Sequence, residues 1–164
     1  MESAPQSRCI NCAQRSDRFF CDLSADALQA FDQIKSVSHY QRGTVLFRQD
    51  EIARGIFLLC QGRVKLSVIS DSGKRLTLRI VGPGEVLGLS ACLSGGPHEV
   101  TAEMMDDAQV AMVKRKELLL FLRQHREACL HVVHLLSQDL HIAYDRVRAV
   151  GLGRTRRVRP EPVH

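Results

Sequence analysis

Residues 81–102 are the most constraining stretch of this sequence, because glycine and proline interrupt it so often. Its apolar part, from Val86 to Leu93, is too short for an ordinary surface helix and too rich in glycine for a strand. The pattern predicts a strand end, a tight loop and one turn of helix. Backbone N–H groups at the start of such a turn can cradle an anion or a small polar ligand. The alternative interpretation is a structural turn that closes a β-barrel.

Short β segments separated by turn residues lie on both sides of this stretch. Strands at regular short spacing with such turns indicate a small all-β barrel or sandwich. In two neighbouring segments apolar residues alternate with polar ones, so we expect a hairpin that turns at Ser72-Gly73. The candidate strands are residues 37–40, 44–47, 55–60, 63–69, 76–81, 101–104 and 109–113.

Helices are predicted at both ends of the strand region. Ser24 is a good N-cap, and Leu28 and Phe31 follow it at helical spacing, so a short helix should extend to residue 34. A second short helix is expected over residues 116–123. A long helix should follow over residues 126–150, where proline and glycine are absent, and Gly151 is expected to end it.

The segment GEVLGL at residues 84–89, followed by a loop and by EVTA at residues 99–102, resembles the ligand cassette of cyclic nucleotide-binding domains. The resemblance is closest to the CRP/FNR transcription regulators. It implies an α+β fold: a β-roll or jelly-roll with a short N-terminal helix and a long C-terminal dimerisation helix. The implied function is the effector-sensing and dimerisation domain of a transcription regulator. The implied effector pocket comprises Gly84, Glu85, Gly88, Leu89, Ser90, Glu99, Val100 and Thr101.

The same resemblance divides the chain into four parts. A cysteine-containing segment, residues 1–22, precedes a cyclic-nucleotide-binding-like roll at residues 23–125. The dimerisation helix, residues 126–150, and a basic tail, residues 151–164, follow. Full-length CRP/FNR members continue from the long helix into a winged helix-turn-helix, which is not found here. We therefore expect DNA contact only through a missing or partner domain.

Two positions depart from the pattern of nucleotide-binding members. Where those members place a glutamate for the ribose hydroxyl, this chain has Leu89, and where they place an arginine for the cyclic phosphate, it has Glu99. A carboxylate repels a phosphate, and the bidentate hydrogen bonds of the arginine are lost. We therefore expect a small-molecule effector of unknown identity rather than a cyclic nucleotide.

Three cysteines near the N-terminus form a candidate metal or redox site. Cys9 and Cys12 have the C-x2-C spacing that brings two sulfurs to the same side of a turn, and Cys21 follows. Such thiolates can hold zinc or an iron–sulfur cluster. The FNR branch resembles this arrangement, although its cysteines are more tightly spaced. The alternatives are a metal- or redox-binding sensor protein that uses the roll as a scaffold, and plain thiols.

The remaining cysteines and histidines indicate structural or solvated positions. The cysteines Cys60, Cys92 and Cys129 each sit in an apolar pattern, which is typical of a buried small side chain. We expect His39 and His98 to be structural or exposed. On the long helix, His131, His134 and His141 lie on a polar face that is expected to be solvated.

An apolar stripe follows one face of the predicted long helix. It is wide enough for a helix that packs on its own barrel and also on a twin helix from a second chain. In the CRP/FNR family the corresponding helix is the dimer interface, and the alternative is packing on the barrel alone. The resemblance thus predicts a homodimer whose interface contains Leu130, Val133, Leu136, Leu140, Tyr144 and Val147.

Charge and hydropathy exclude several other classes. The formal net charge is +5, of which residues 154–164 carry +3, so the basic character belongs largely to the tail. That tail could hold phosphates without sequence preference or be an ordinary disordered tail. The N-terminus has no apolar signal segment and the apolar runs are short, so a cytoplasmic protein without a membrane partner is expected. Catalytic triads, paired carboxylates and Walker motifs are absent, and nothing indicates an enzyme.

Overall fold

The computed structural model describes residues 23–155, with side chains for residues 23–150. The described part of the chain divides into two compact units, with the boundary between His131 and Val132. The elements in chain order are α1 (Ala25–Ile34), β1 (Lys35–Tyr40), β2 (Val45–Phe47), β3 (Gly55–Gln61), β4 (Val64–Ile69), β5 (Arg75–Val81), β6 (Val86–Leu87), α2 (Leu89–Ser94), β7 (Thr101–Met104), β8 (Ala108–Lys114), α3 (Arg115–Gln124) and α4 (Arg126–Thr155).

The eight strands form two four-stranded antiparallel sheets. One sheet has the order β1-β8-β3-β6 and the other has the order β2-β7-β4-β5. A core of buried side chains includes residues from both sheets. This is the α+β, jelly-roll-like domain that the resemblance implied. The core residues are Phe47, Leu59, Val64, Val81, Leu87, Ala102, Met104, Ala108 and Val110.

The hairpin of β4 and β5 forms as the alternating pattern predicted. The two strands pair from Val64 opposite Val81 to Ile69 opposite Arg75, with a bulge after Leu66. Its turn contains Gly73 at a φ of 86°, a left-handed conformation that favours glycine. The predicted turn at residues 72 and 73 is confirmed.

Helix α1 begins where its N-cap predicts. The Ser24 hydroxyl accepts a hydrogen bond from the Ala27 amide at 3.3 Å. Phe31 is fully buried, and its ring lies 5.6 Å from that of Phe121 on α3. The amide of Ser24 in turn donates to the Glu127 carboxylate at 3.2 Å, which ties the first turn of α4 to the start of α1.

Two features of the structure differ from expectation. The short strand β6 was not predicted, because only its pairing with Phe57 and Leu58 makes it a strand. The prediction that Gly151 ends the long helix is wrong, since α4 continues to Thr155. Glycine costs a helix about 1 kcal/mol relative to alanine, but it can adopt helical angles.

Within the part of the chain that the structure describes, no helix is both long and apolar enough to cross a membrane.

The cysteines of the described region differ in burial. Cys92 is buried as expected, Cys60 is half-buried, and the prediction that Cys129 is buried is wrong because its side chain is exposed. The preceding residue, Ala128, takes the buried position on α4. Successive helical residues point about 100° apart, so the inward position of Ala128 turns its neighbour outward.

Gly55 and Gly82 provide a matched test of how tightly β3 packs against β8. A methyl group on Gly55 would press on the carbonyl oxygen of Val113, whereas a methyl group on Gly82 would meet open space. We expect Gly55→Ala to lower the free energy of unfolding by about 2 kcal/mol or more. Gly82→Ala should change it by no more than about 0.5 kcal/mol. Urea denaturation checks both variants, and equal midpoints would contradict the packing described here.

Candidate functional site

The loop between β5 and β6 is shaped by one carboxylate. Glu85 accepts hydrogen bonds from the Arg79 guanidinium at 2.8 Å and from the amide of Gly82 at 2.9 Å. The loop backbone is bonded to β3, where the amide of Gly84 donates to the carbonyl of Leu59 at 2.6 Å and the amide of Leu59 donates to the carbonyl of Glu85 at 3.0 Å. The carboxylate of Glu85 is therefore engaged by the protein itself.

Helix α2 follows this loop and is held at both ends. Gly88 and Gly95 flank it in left-handed conformations, with φ values of 79° and 75°. Leu89 and Cys92 turn inward and are buried. The Arg115 guanidinium donates to the Cys92 carbonyl at 2.6 Å, so the first residue of α3 supports the end of α2. Burial raises the pKa of the Cys92 thiol, against the opposing charge of Arg115.

An imidazole ring fills the space above Gly88. The His98 side chain is only 4% exposed. Its ring stacks on Phe47 with a centroid separation of 3.8 Å, and Phe47 stacks in turn on Phe57 at 5.6 Å. A methyl group added to Gly88 would lie 3.0 Å from the Cε1 atom of His98. The glycine thus leaves room for the ring.

The backbone and charge state of His98 follow from its surroundings. Its amide donates to the Glu51 carbonyl at 2.7 Å, and its carbonyl accepts from the Asp50 amide at 2.8 Å. The Nδ1 atom is buried and has no hydrogen-bond partner among residues 23–150. Burial lowers the pKa of the imidazole below its ordinary value of 6.5, although the carboxylates of Glu99 and Glu51 act in the opposite direction. The folded state therefore favours the neutral ring.

The structure separates the predicted pocket residues into two groups. Gly84, Glu85, Gly88, Leu89 and Ser90 follow one another along the cassette loop and the start of α2, where Leu89 is buried and Ser90 is exposed. The second group consists of Glu99, Val100 and Thr101, which lie after α2.

Two residues of the second group have surroundings that the structure defines. The Glu99 side chain is exposed. The Thr101 hydroxyl accepts a hydrogen bond from the Gln49 amide at 2.9 Å. The side chain that meets Gly88 is His98, which was predicted only as structural or exposed. In the sequence, only the position of His98 next to Glu99 pointed to it as a site residue. No local pattern indicated which of the two side chains would be buried.

The candidate metal ligands Cys9, Cys12 and Cys21 lie outside the described residues. Within residues 23–150, no group of three or more histidine, cysteine, aspartate or glutamate side chains has an arrangement that could hold a metal ion.

The apolar stripe of α4 is largely uncovered in the single chain. Tyr144 and Val147 are 62% and 68% exposed. The other large exposed apolar side chains of the predicted interface are Leu130, Val133 and Leu140, whereas Leu136 is half-buried. On the polar face, the Nε2 atoms of His134 and Gln138 are 3.2 Å apart. Exposed apolar surface of this extent is a common mark of an interaction surface.

Comparison with known proteins places these features in a family context. The model of the cyclic nucleotide-binding domain family matches residues 37–125, more than half of the chain. A cyclic AMP receptor protein from Thermus thermophilus is 27% identical over 108 residues, which cover 63% of this chain and 50% of that protein. The chain therefore spans about half the length of that relative.

Solved structures share the fold. The catabolite activator protein of Thermus thermophilus superposes with a TM-score of 0.74 and 22% identity, over 82% of this chain and 63% of that one. The sensor domain of the transcriptional regulator DNR from Pseudomonas aeruginosa superposes with a TM-score of 0.70 and 22% identity, over 87% of this chain and 95% of that one.

The lowered pKa of His98 predicts a pH dependence of stability. Below about pH 6.5 the unfolded chain binds a proton at this residue while the folded chain resists it, so the free energy of unfolding should fall as the pH falls. In His98→Gln this contribution disappears. The free energy of unfolding should then depend less on pH between about pH 7.5 and 5.5, the range that brackets a histidine titration. The matched control is His39→Gln, which removes an exposed imidazole on β1 and should leave the contribution of His98 in place. Denaturation at a series of pH values is the measurement, and an unchanged slope in His98→Gln would contradict the prediction.

Proposed function

The chain belongs to the cyclic nucleotide-binding domain family, and from this membership we propose that it is the effector-sensing and dimerisation domain of a CRP/FNR-type transcription regulator. The observation that carries the proposal is the combination of a cassette loop bonded into the roll with an exposed apolar stripe on α4. The similarity to a cyclic AMP receptor protein and to the sensor domain of a transcriptional regulator supports it. In this proposal DNA is contacted by another domain, in the same polypeptide or in a partner.

The effector of this domain is not a cyclic nucleotide in our proposal. The side chain of Leu89 is buried and has no group that could bond a ribose hydroxyl. Glu99 is exposed and supplies no positive charge for a phosphate. The ring of His98 fills the space above Gly88, and its lowered pKa favours a neutral state with little attraction for an anion. These features favour a small molecule without a phosphate group.

Dimerisation through α4 is the second part of the proposal. A helix that exposes large apolar side chains along one face gains free energy when a second copy covers them. The same face in a twin helix offers a matching surface, because a two-fold axis brings identical patches together. The exposed side chains of Val133, Leu140 and Val147 would form the centre of this contact.

A population shift would link effector binding to α4. The contact between Arg115 and the Cys92 carbonyl joins α2 to the first residue of α3. A single residue, His125, separates α3 from α4 in the sequence. An effector that moves α2 would therefore act on α3 through this contact and bias the arrangement of the helix that follows.

The spacing of Cys9, Cys12 and Cys21 favours one alternative function, a metal- or redox-binding sensor protein. Metal analysis and an absorption spectrum of protein purified without oxygen distinguish the two. Stoichiometric iron or zinc supports this alternative, and metal-free protein leaves the cassette as the sensing site.

The dimer can be tested by placing a charge in the apolar stripe. Light scattering at micromolar concentration should give twice the chain mass of 18.4 kDa. Leu140→Glu should give the monomer mass, because a buried carboxylate without a partner opposes association. The control Gln138→Glu adds the same charge on the other side of α4 and should remain dimeric. A monomeric wild-type chain would overturn this part of the proposal.

Calorimetric titration tests the exclusion of cyclic nucleotides. Neither cAMP nor cGMP should bind at micromolar concentrations, for lack of an arginine at the phosphate position. The variant Glu99→Arg should also bind neither nucleotide, because residue 99 points into solvent and the ring of His98 remains above Gly88. Saturable micromolar binding to the wild-type chain would contradict the prediction.

A further inference from the structure

A polar cleft of about 630 Å³ lies on the outer side of the sheet of order β2-β7-β4-β5. On β7, Ala102 and Met104 point into the core, so the alternate residues Thr101 and Glu103 face outward and line the cleft. The loop after β2 and the turn between β4 and β5 supply its other walls. This volume is in the usual range for small-molecule sites, which is about 300 to 1,000 Å³.

The walls of the cleft are fixed to each other by one side chain. The amide nitrogen of the Gln49 side chain donates to the carbonyl of Ile69 at 3.2 Å, and its oxygen accepts from the amide of Ile69 at 2.7 Å. The backbone amide of Gln49 donates to the Thr101 hydroxyl. The loop after β2 is thereby bonded to both β4 and β7, and the cleft is preformed.

Charges of both signs line this cleft. Glu103 is balanced by Lys65 at 4.0 Å and by Arg75 at 3.9 Å. In the described part of the chain, the side chains of Arg48, Asp50 and Asp71 have no ion-pair partner. The cleft thus offers one unpaired cation and two unpaired anions.

These unpaired groups define the chemistry of a ligand. A guanidinium binds a carboxylate with two parallel hydrogen bonds, and carboxylates bind an ammonium group. A ligand that satisfies all three groups carries one negative and two positive charges. We propose that this cleft binds a free basic α-amino acid, whose carboxylate meets Arg48 while its ammonium or guanidinium groups meet Asp50 and Asp71.

The cleft is connected to the cassette through the backbone of the same loop. The amide of Asp50 donates to the carbonyl of His98 at 2.8 Å, and the ring of His98 covers Gly88. Among the described residues other than glycine, Asp50 alone has a positive φ, at 76°. A ligand on the outer side therefore contacts the segment that holds the cassette histidine. The cleft shares Thr101 with the residues predicted for the effector pocket, but its ligand contacts are assigned to Arg48, Asp50 and Asp71, so this proposal does not rest on the effector proposed above.

Calorimetry with L-lysine and L-arginine tests this site. We expect saturable binding to the wild-type chain, weakened about tenfold or more by Arg48→Gln and by Asp71→Asn, which is the loss of about one charge-assisted contact. Lys74→Gln removes a positive charge from the same turn without touching the cleft, and it should keep wild-type affinity. Circular dichroism confirms that each variant is folded.

Ligand analogues test the assigned contacts on the wild-type protein. Cadaverine lacks the carboxylate of lysine, and 6-aminohexanoate lacks its α-amino group, so both should bind more weakly than lysine. L-glutamate, with its extra negative charge, should bind more weakly still. Absence of saturable binding of either basic amino acid at millimolar concentrations would overturn the proposal. Equal binding of cadaverine, or unchanged affinity in both cleft variants, would do the same.

Discussion

The hydrogen bonds between the cassette loop and β3 are the constraint on which the rest of the structure depends. They place the carbonyl and amide of Leu59, in the middle of a central strand, opposite Gly84 and Glu85. A loop bonded in this way presents α2 at a fixed position beside the core. Gly88 then lies under the ring of His98, and the end of α2 lies within reach of Arg115. The roll is therefore a frame that holds this short helix in place.

The fold was largely predictable because its signals are local. Alternating apolar residues defined β4 and β5, glycine marked their turn, and the hydroxyl of Ser24 marked the start of α1. The strand β6 was not predictable, since its two residues are extended only through pairing with β3. The end of α4 was misplaced because glycine permits a helix to stop but does not force it to do so. Boundaries that depend on distant partners are hidden from a local pattern.

The candidate site was predictable to a smaller extent. The cassette loop and its glycines were located correctly in the sequence, but their contacts were not. Whether His98 or Glu99 turns inward depends on the stacking surface of Phe47, which is about fifty residues away in the chain. The contact between Arg79 and Glu85 joins β5 to the loop that follows it, only six residues away. For His98 long-range packing decides the role of a residue whose neighbours in sequence give no indication of it.

The side-chain amide of Gln49 imitates a peptide group. It offers one donor and one acceptor to the backbone of Ile69, as a residue of a neighbouring strand would. The loop after β2 is therefore hydrogen-bonded to β4, although β7 separates β2 from β4 in the sheet. A carboxylate of the same length lacks the donor and an ammonium group lacks the acceptor. Either would make only one of the two hydrogen bonds to Ile69. The loop after β2 is thus joined to its sheet by a contact whose chemistry only an amide side chain reproduces.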